Sequence, residues 1–238
     1  MADMSSGTQR KRIRKSPSDR RAEIVDAAAA IALTEGLECI TLRRVAEQLD
    51  VRPGLISHYF PAVEDLVAEA FGTAAGAELN ALLPADRAAG TPTDRLARFF
   101  VLATGAAYDD ISRLWINARH LSRYRPVLRD RVSHQEALWR GRLEDLVREG
   151  VDRGEFRTAD PYATTIQILV VIDGLGAHAN TETGARPEVV TRMAVSTAER
   201  ELGLEGGTLS RHGAALDADR TDAEAASGTD TSPAGSGT

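Results

Sequence analysis

Lysine is almost missing from this 238-residue chain: Lys11 and Lys15 are its two lysines, and arginine carries the remaining positive charge. Cysteine is reduced to Cys39, which excludes an intrachain disulfide and fits a reducing compartment. Aromatic residues make up 5% of the chain and strand-forming residues are sparse, so an all-α fold is expected. No run approaches the roughly 20 apolar residues that a membrane span needs. The basic N-terminus lacks the apolar stretch of a secretory leader, and the cytoplasm is the expected location. The five histidines (58, 120, 134, 178 and 212) share no helical metal-ligand spacing, and with a single cysteine no metal or other cofactor is expected. Neither a Ser-His-Asp set nor a paired-carboxylate arrangement can be defended from spacing, which argues against an enzyme. One dinucleotide-like pattern occurs, an apolar run over 166–172 followed by Gly174-Leu175-Gly176-Ala177-His178-Ala179. It has no helix immediately after it and no partner strands for a parallel sheet, so it is rejected.

What is present is concentrated between residues 41 and 60. Thr41 is a good N-cap, and Leu42, Val45, Ala46 and Leu49 then fall on one helical face. Asp50-Val51-Arg52 makes a turn and Pro53 opens a second short helix with Ile56 and Tyr59 directed inward. Ala46 lets the two helices cross closely. This is the layout of a helix-turn-helix, whose second helix lies in the DNA major groove. The formal charge of −6 hides an asymmetry: residues 1–60 hold ten Lys/Arg against eight Asp/Glu, which leaves −8 for the remainder. Such a split indicates where a polyanion would dock.

Residues 1–15 read as a flexible basic arm expected to touch phosphate or the minor groove. A first helix starts at Ser16-Pro17, with Ile24, Ala28, Ile31 and Ala32 inward, and stops at Gly36. A fourth, with Val63, Leu66, Val67, Ala70 and Phe71 on one face, runs towards Leu82 and joins two domains, 16–71 and 72–202. After a breaker-rich linker over 84–93, helices are expected over about 94–108, 111–122, 126–153, 160–179 and 187–202, some nine in all. From Gly203 the composition predicts a disordered tail, 203–238. The 160–179 helix is apolar all round, which predicts burial between its own core and the twin helix of a second subunit, with Gly174 and Gly176 allowing close approach. Cys39, between the first two helices, is expected to be buried.

The stretch Pro53-Gly54-Leu55-Ile56-Ser57-His58-Tyr59-Phe60 followed by Glu64-Asp65-Leu66, with Thr41 to Val51 before it, resembles the TetR family of one-component transcriptional regulators. Its nearest branch is the choline-responsive BetI-like one, and Ile172-Asp173-Gly174-Leu175 is similar to that branch's penultimate helix. Two positions depart from the pattern: Asp50 stands where glycine is usual, and Val63 where a phosphate-binding lysine is frequent. The resemblance implies a homodimer on a palindromic double-stranded DNA operator, a small-molecule effector, and repression. Within the helix-turn-helix, Thr41, Arg43, Arg44 and Tyr59 are placed for phosphate, and Arg52, Gly54, Leu55, Ser57 and His58 for base edges.

The C-terminal half offers Phe100, Tyr108, Trp115, Asn117, His120, Trp139, Gln167 and Asp173 among aliphatic helices. Trp115, Asn117, His120 and Gln167 form the candidate effector set, since effector pockets are mainly apolar with a few orienting polar groups. Two alternatives stay open at this level: a ligand-independent architectural or adaptor protein of the same fold that binds DNA, and an all-helical enzyme.

Overall fold

The computed structural model describes residues 16–86, 90–104, 108–181 and 188–216, and every regular element among them is helical. The order is α1 (Pro17–Thr34), a 3-10 turn (Leu37–Cys39), α2 (Leu42–Gln48), α3 (Pro53–Tyr59), α4 (Val63–Leu82), α5 (Pro92–Ala103), α6 (Tyr108–Ser122), α7 (Pro126–Asp152), α8 (Pro161–Ala179) and α9 (Glu188–Glu201). The all-α expectation and the nine main helices hold for the described residues, none of whose helices is long and apolar enough to cross a membrane. The expected basic arm lies outside them.

Local signals place the N-terminal elements. Ser16 Oγ accepts from the Asp19 N–H at 3.1 Å and Pro17 occupies the first turn, where its missing donor costs nothing. Thr41 Oγ1 caps α2 by accepting from the Arg44 N–H at 3.0 Å. Asp50 adopts φ 50°, while its N–H and that of Val51 return to the Glu47 and Ala46 carbonyls. That is a Schellman ending, with aspartate doing the work of glycine. Val45, Ala46 and Ile56 are buried between α2 and α3; Leu42, Leu49 and Tyr59 are half-buried around them.

The helix α4 organises the molecule. It packs on α1 and, from Glu64 to Leu83, along α7, and its buried stripe runs unbroken from Leu66, Val67 and Phe71 through Ala75 to Leu79. One continuous hydrophobic core therefore reaches from α1 to α9.

Several expectations are corrected. The helix expected over 94–108 ends at Ala103, and α6 begins at Tyr108, three residues early. Order does not stop at Gly203. Residues 208–216 form a further short helix, with Leu209 buried, Glu199 accepting the Gly207 and Leu209 N–H groups, and His212 Nδ1 lying 2.7 Å from Asp94 Oδ1. Composition alone misses this because one buried leucine and one buried carboxylate anchor the segment. Cys39 is exposed, since Leu37 and Ile40 take the inward positions of its turn. Gly176 faces Ser112 of the same chain's α6, whereas Gly174 faces open space.

The α7 to α8 corner depends on Gly150. A Cβ there would lie 2.1 Å from the Phe156 ring, which is 1% exposed, and the Gly150 carbonyl accepts from both Glu155 and Phe156 N–H groups. Gly150→Ala is expected to cost about 1–3 kcal/mol in urea unfolding, through overpacking at a site pinned by two hydrogen bonds. An unchanged midpoint would show that the ring moves aside freely.

Candidate nucleic-acid interface and effector cavity

On the outer side of the head, Arg52 caps α3 without a side-chain bond, and Gly54, Ser57 and His58 stand exposed beyond it. Leu55 is half-exposed. Space around Gly54 is empty to 4 Å, and Ser57 Oγ donates to the Gly54 carbonyl at 3.2 Å, so that hydroxyl is held close to its own backbone. His58 meets Tyr59 edge-on, with Tyr59 packed against the core. Of the nine residues singled out in the helix-turn-helix none is fully buried: Thr41, Arg43, Arg52, Gly54, Ser57 and His58 are exposed, and Arg44, Leu55 and Tyr59 are half-exposed.

Apart from Arg52, the arginines of the head are already engaged. Arg43 Nε donates to Glu47 at 2.8 Å, and the Arg44 guanidinium spans Glu35 and Gln48 at 3.1 Å. The hydrogen bond from Arg44 holds the Glu35 carboxyl below its ordinary range. Arg21 lies over the Phe60 ring, 4.6 Å from its centroid, and pairs with Glu69. Any phosphate contact by Arg43 or Arg44 must exchange one anion for another. Arg52 has no ion pair among the described residues.

A second feature lies in the C-terminal half. A cavity of about 220 Å³ opens between α5, α6, α7 and α8, walled by Phe99, Tyr108, Trp115, Trp139, Ile166, Leu169, Val170 and Ile172. Arg119, Glu136, Arg140 and Asp173 bring charge to it. Arg119 bridges Glu136 and Asp173, each at 2.9 Å. Behind the aromatic wall, Glu78 of α4 accepts the Trp115 indole N–H at 2.7 Å, and Phe71 of α4 meets Trp115 edge-on. The other Glu78 oxygen and the Trp139 indole N–H are both buried without a hydrogen-bond partner. Burial pushes the Glu78 carboxyl from 4.5 up to about 7, outweighing the donors of Trp115 and Tyr108 that favour its anion. Burial likewise drives the Tyr108 hydroxyl well above its ordinary value, reinforced by Glu78 and Asp173.

Of the effector residues expected from sequence, Trp115 lines this cavity and Asn117, His120 and Gln167 do not. Asn117 turns to the head, where it bonds Leu37 and Glu38; His120 is exposed against Tyr124; Gln167 is exposed. From the wider list Tyr108, Trp139 and Asp173 do line it, whereas Phe100 is buried beside Phe99. Spacing within α6 placed Asn117 and His120 one turn apart, but packing against α1 and α4 decides which side faces the cavity. Glu78 escaped notice. Its signal was a lone acid on the apolar stripe of Phe71, Ala75 and Leu82 at helical spacing. Among the described residues no cluster of His, Cys, Asp and Glu is arranged to hold a metal.

Fold and surface thus define a helix-turn-helix head on a helical body with an internal cavity. Residues 24–70 match the family model of bacterial regulatory proteins, tetR family, and residues 92–203 match the BetI-type transcriptional repressor C-terminal model. The chain belongs to the TetR family of transcriptional regulators, in its BetI-like part; these are regulators and not enzymes. Over 82 residues it is 41% identical to the HTH-type transcriptional repressor KstR of Mycolicibacterium smegmatis, a match that covers 33% of this chain and 38% of that one. The Mycobacterium tuberculosis KstR is 41% identical over 54 residues, 23% of this chain and 24% of its own length. The chain thus matches well under half the length of these curated relatives. Among solved structures, a TetR transcription regulator from Haloarcula marismortui superposes with TM-score 0.63 at 21% identity, covering 78% of this chain and 97% of that one. A protein described as a transcriptional regulator from Saccharomonospora viridis, in complex with choline, superposes with TM-score 0.64 at 21% identity over 78% and 98%.

The raised pKa of Glu78 makes stability depend on pH. Below 4.5 the group is protonated folded and unfolded, and contributes nothing to the pH dependence. Between 4.5 and about 7 the unfolded chain releases its proton first, so stability falls as pH rises; above 7 the loss is complete. Glu78→Gln keeps an acceptor for Trp115 and removes this slope, gaining up to about 3 kcal/mol over the parent at pH 8 relative to pH 4.5. Urea midpoints taken across that range check it; parallel curves for the two proteins would contradict it.

Proposed function

We propose that this chain is a cytoplasmic homodimeric repressor whose α3 helices enter successive major grooves of a near-palindromic operator, and which a small organic cation releases. Residues 16–71 serve as the DNA-binding head, and the rest of the folded chain as the sensing and dimerising body. The observation that carries the DNA reading is the exposed outer face of α3. Arg52 suits a bidentate contact to guanine, Leu55 a thymine methyl, and Ser57 and His58 further base edges. Gly54 allows close approach, while Thr41, Arg43, Arg44 and Tyr59 would hold phosphate and set register. Dimerisation has a surface to use: Val170 of α8 and Val189 and Met193 of α9 are 62%, 71% and 48% exposed. Two such heads would sit about 34–36 Å apart or a multiple of that.

Effector class follows from the cavity. Four aromatic rings line it, with the buried Glu78 bonded behind Trp115, and faces of tryptophan and tyrosine attract cations at short range; Arg119, paired to Asp173 and Glu136, already lies over the Trp115 ring, 5.2 Å from its centroid. The choline complex of the Saccharomonospora neighbour is of this ligand class.

Two measurements test the reading. Selection from random DNA should return a dyad-symmetric site, and Arg52→Ala should lose about 1–3 kcal/mol of binding with relaxed preference at one position of each half-site. Choline should quench the tryptophan fluorescence, both tryptophans being cavity residues, and weaken operator binding, whereas its uncharged carbon isostere should do neither. A selected site without symmetry would overturn the operator reading. Equal responses to choline and the isostere would overturn the cationic class.

A further inference from the structure

We propose that Asn117 is a positioning residue that couples the cavity to the DNA-facing head along a route separate from α4. The proposal rests on the effector reading above and adds where the signal leaves the cavity. Within α6, Trp115 and Arg119 face the cavity, whereas Asn117 faces the head. Its side chain is saturated there. Oδ1 accepts from the Leu37 N–H at 2.9 Å, and Nδ2 donates to the two Glu38 carboxylate oxygens at 2.9 and 2.8 Å. Both partners belong to the 3-10 turn between α1 and α2.

That turn packs on α1 and α6, and the residues on either side of it hold α2. Glu35, just before it, holds the Arg44 guanidinium of α2, and Thr41, just after it, is the α2 cap. Leu37 is fully buried and anchors the turn, which the chain enters through Gly36 at φ 102°, a conformation open to glycine. Around the clamp, α6 and the end of α1 are not close-packed: a pocket of about 220 Å³ lined by Ala32, Leu33, Thr34, Arg113 and Leu114 surrounds it. Sliding apolar contacts tolerate small shifts, whereas hydrogen bonds at 2.8 to 2.9 Å weaken steeply when pulled or tilted. A displacement of α6 by a ligand against Trp115 and Arg119 therefore reaches α2 through Asn117, and the groove-facing α3 follows α2.

Coupling between sites is reciprocal, so operator binding must alter the cavity through the same clamp. This permits a test that needs no effector. In the full chain carrying Trp139→Phe, Trp115 is the sole tryptophan, and its quenching by acrylamide is measured with and without the selected operator. With Asn117 present the operator should change the quenching constant. Asn117→Ala should abolish that change while melting and effector-free operator affinity stay close to those of the parent. Asn117→Asp retains an oxygen for Leu37 but sets a carboxylate against Glu38, and should also abolish it; Glu38→Gln retains an acceptor and should preserve it. In a second arm on the chain with both tryptophans, choline should quench fluorescence equally in the parent and Asn117→Ala proteins, yet lower operator affinity by about fivefold or more in the parent alone. An operator-induced change that persists in both Asn117 variants, or that is missing from the parent, overturns the proposal. Absence of choline quenching in both proteins instead removes the cationic class, and the operator arm still decides the clamp.

Discussion

The unbroken burial of α4 is the constraint on which the other features depend. Leu66, Val67 and Phe71 are locked among α1 and the helix-turn-helix, and Ala75, Glu78 and Leu79 of the same rod are locked in the body. Close-packed interiors transmit displacement because no void absorbs it. A head joined by a loose linker could turn independently of its body; here it cannot turn without moving the residues that back the cavity. Trp115 stands at the junction, edge-on to Phe71 and bonded to Glu78, so the cavity wall and the connecting helix share side chains.

Charge is used differently at the two ends. On the head, arginines are held by glutamates at the surface, where exposed ion pairs are weak and easily exchanged. The Arg43–Glu47 pair, the more exposed of the two, shapes its arginine without fixing it, and a phosphate can displace that carboxylate at small cost. In the body Glu78 and Glu199 are taken out of water; both Glu199 oxygens accept backbone N–H groups, whereas one Glu78 oxygen makes no hydrogen bond. Burying a polar group without compensation is costly, and such a group persists where it serves a site. A cation near Glu78 would favour its anion and lower that cost, which is the physical basis of the proposed cationic class.

Legibility from sequence followed contact range. The helix-turn-helix could be read because its determinants are local: the Thr41 cap, the Val45-Ala46 stripe, the Asp50 turn and Pro53 lie within thirteen residues. The inward faces of α1, α4 and α7 were readable for the same reason of period. The cavity was not, since it is assembled from α5, α6, α7 and α8, and its backing acid comes from α4. Local spacing paired Asn117 with His120, but the rotation of α6 is set by Ser112 against Gly176 and Trp115 against Glu78, contacts far apart in sequence. The ordered segment beyond Gly203 was hidden by composition, as its anchors are few and lie on α5 and α9.

The central claim is that filling the cavity moves the heads. The single cysteine, Cys39, is exposed on the turn beside α2, so a spin label there reports head separation in the proposed dimer without further mutation. Pulsed dipolar distances between the two labels, taken with and without saturating choline, test the claim directly. The account predicts a shifted distance distribution on addition of choline, reversed by operator DNA. An unchanged distribution, under conditions where tryptophan quenching shows the cavity occupied, would contradict it.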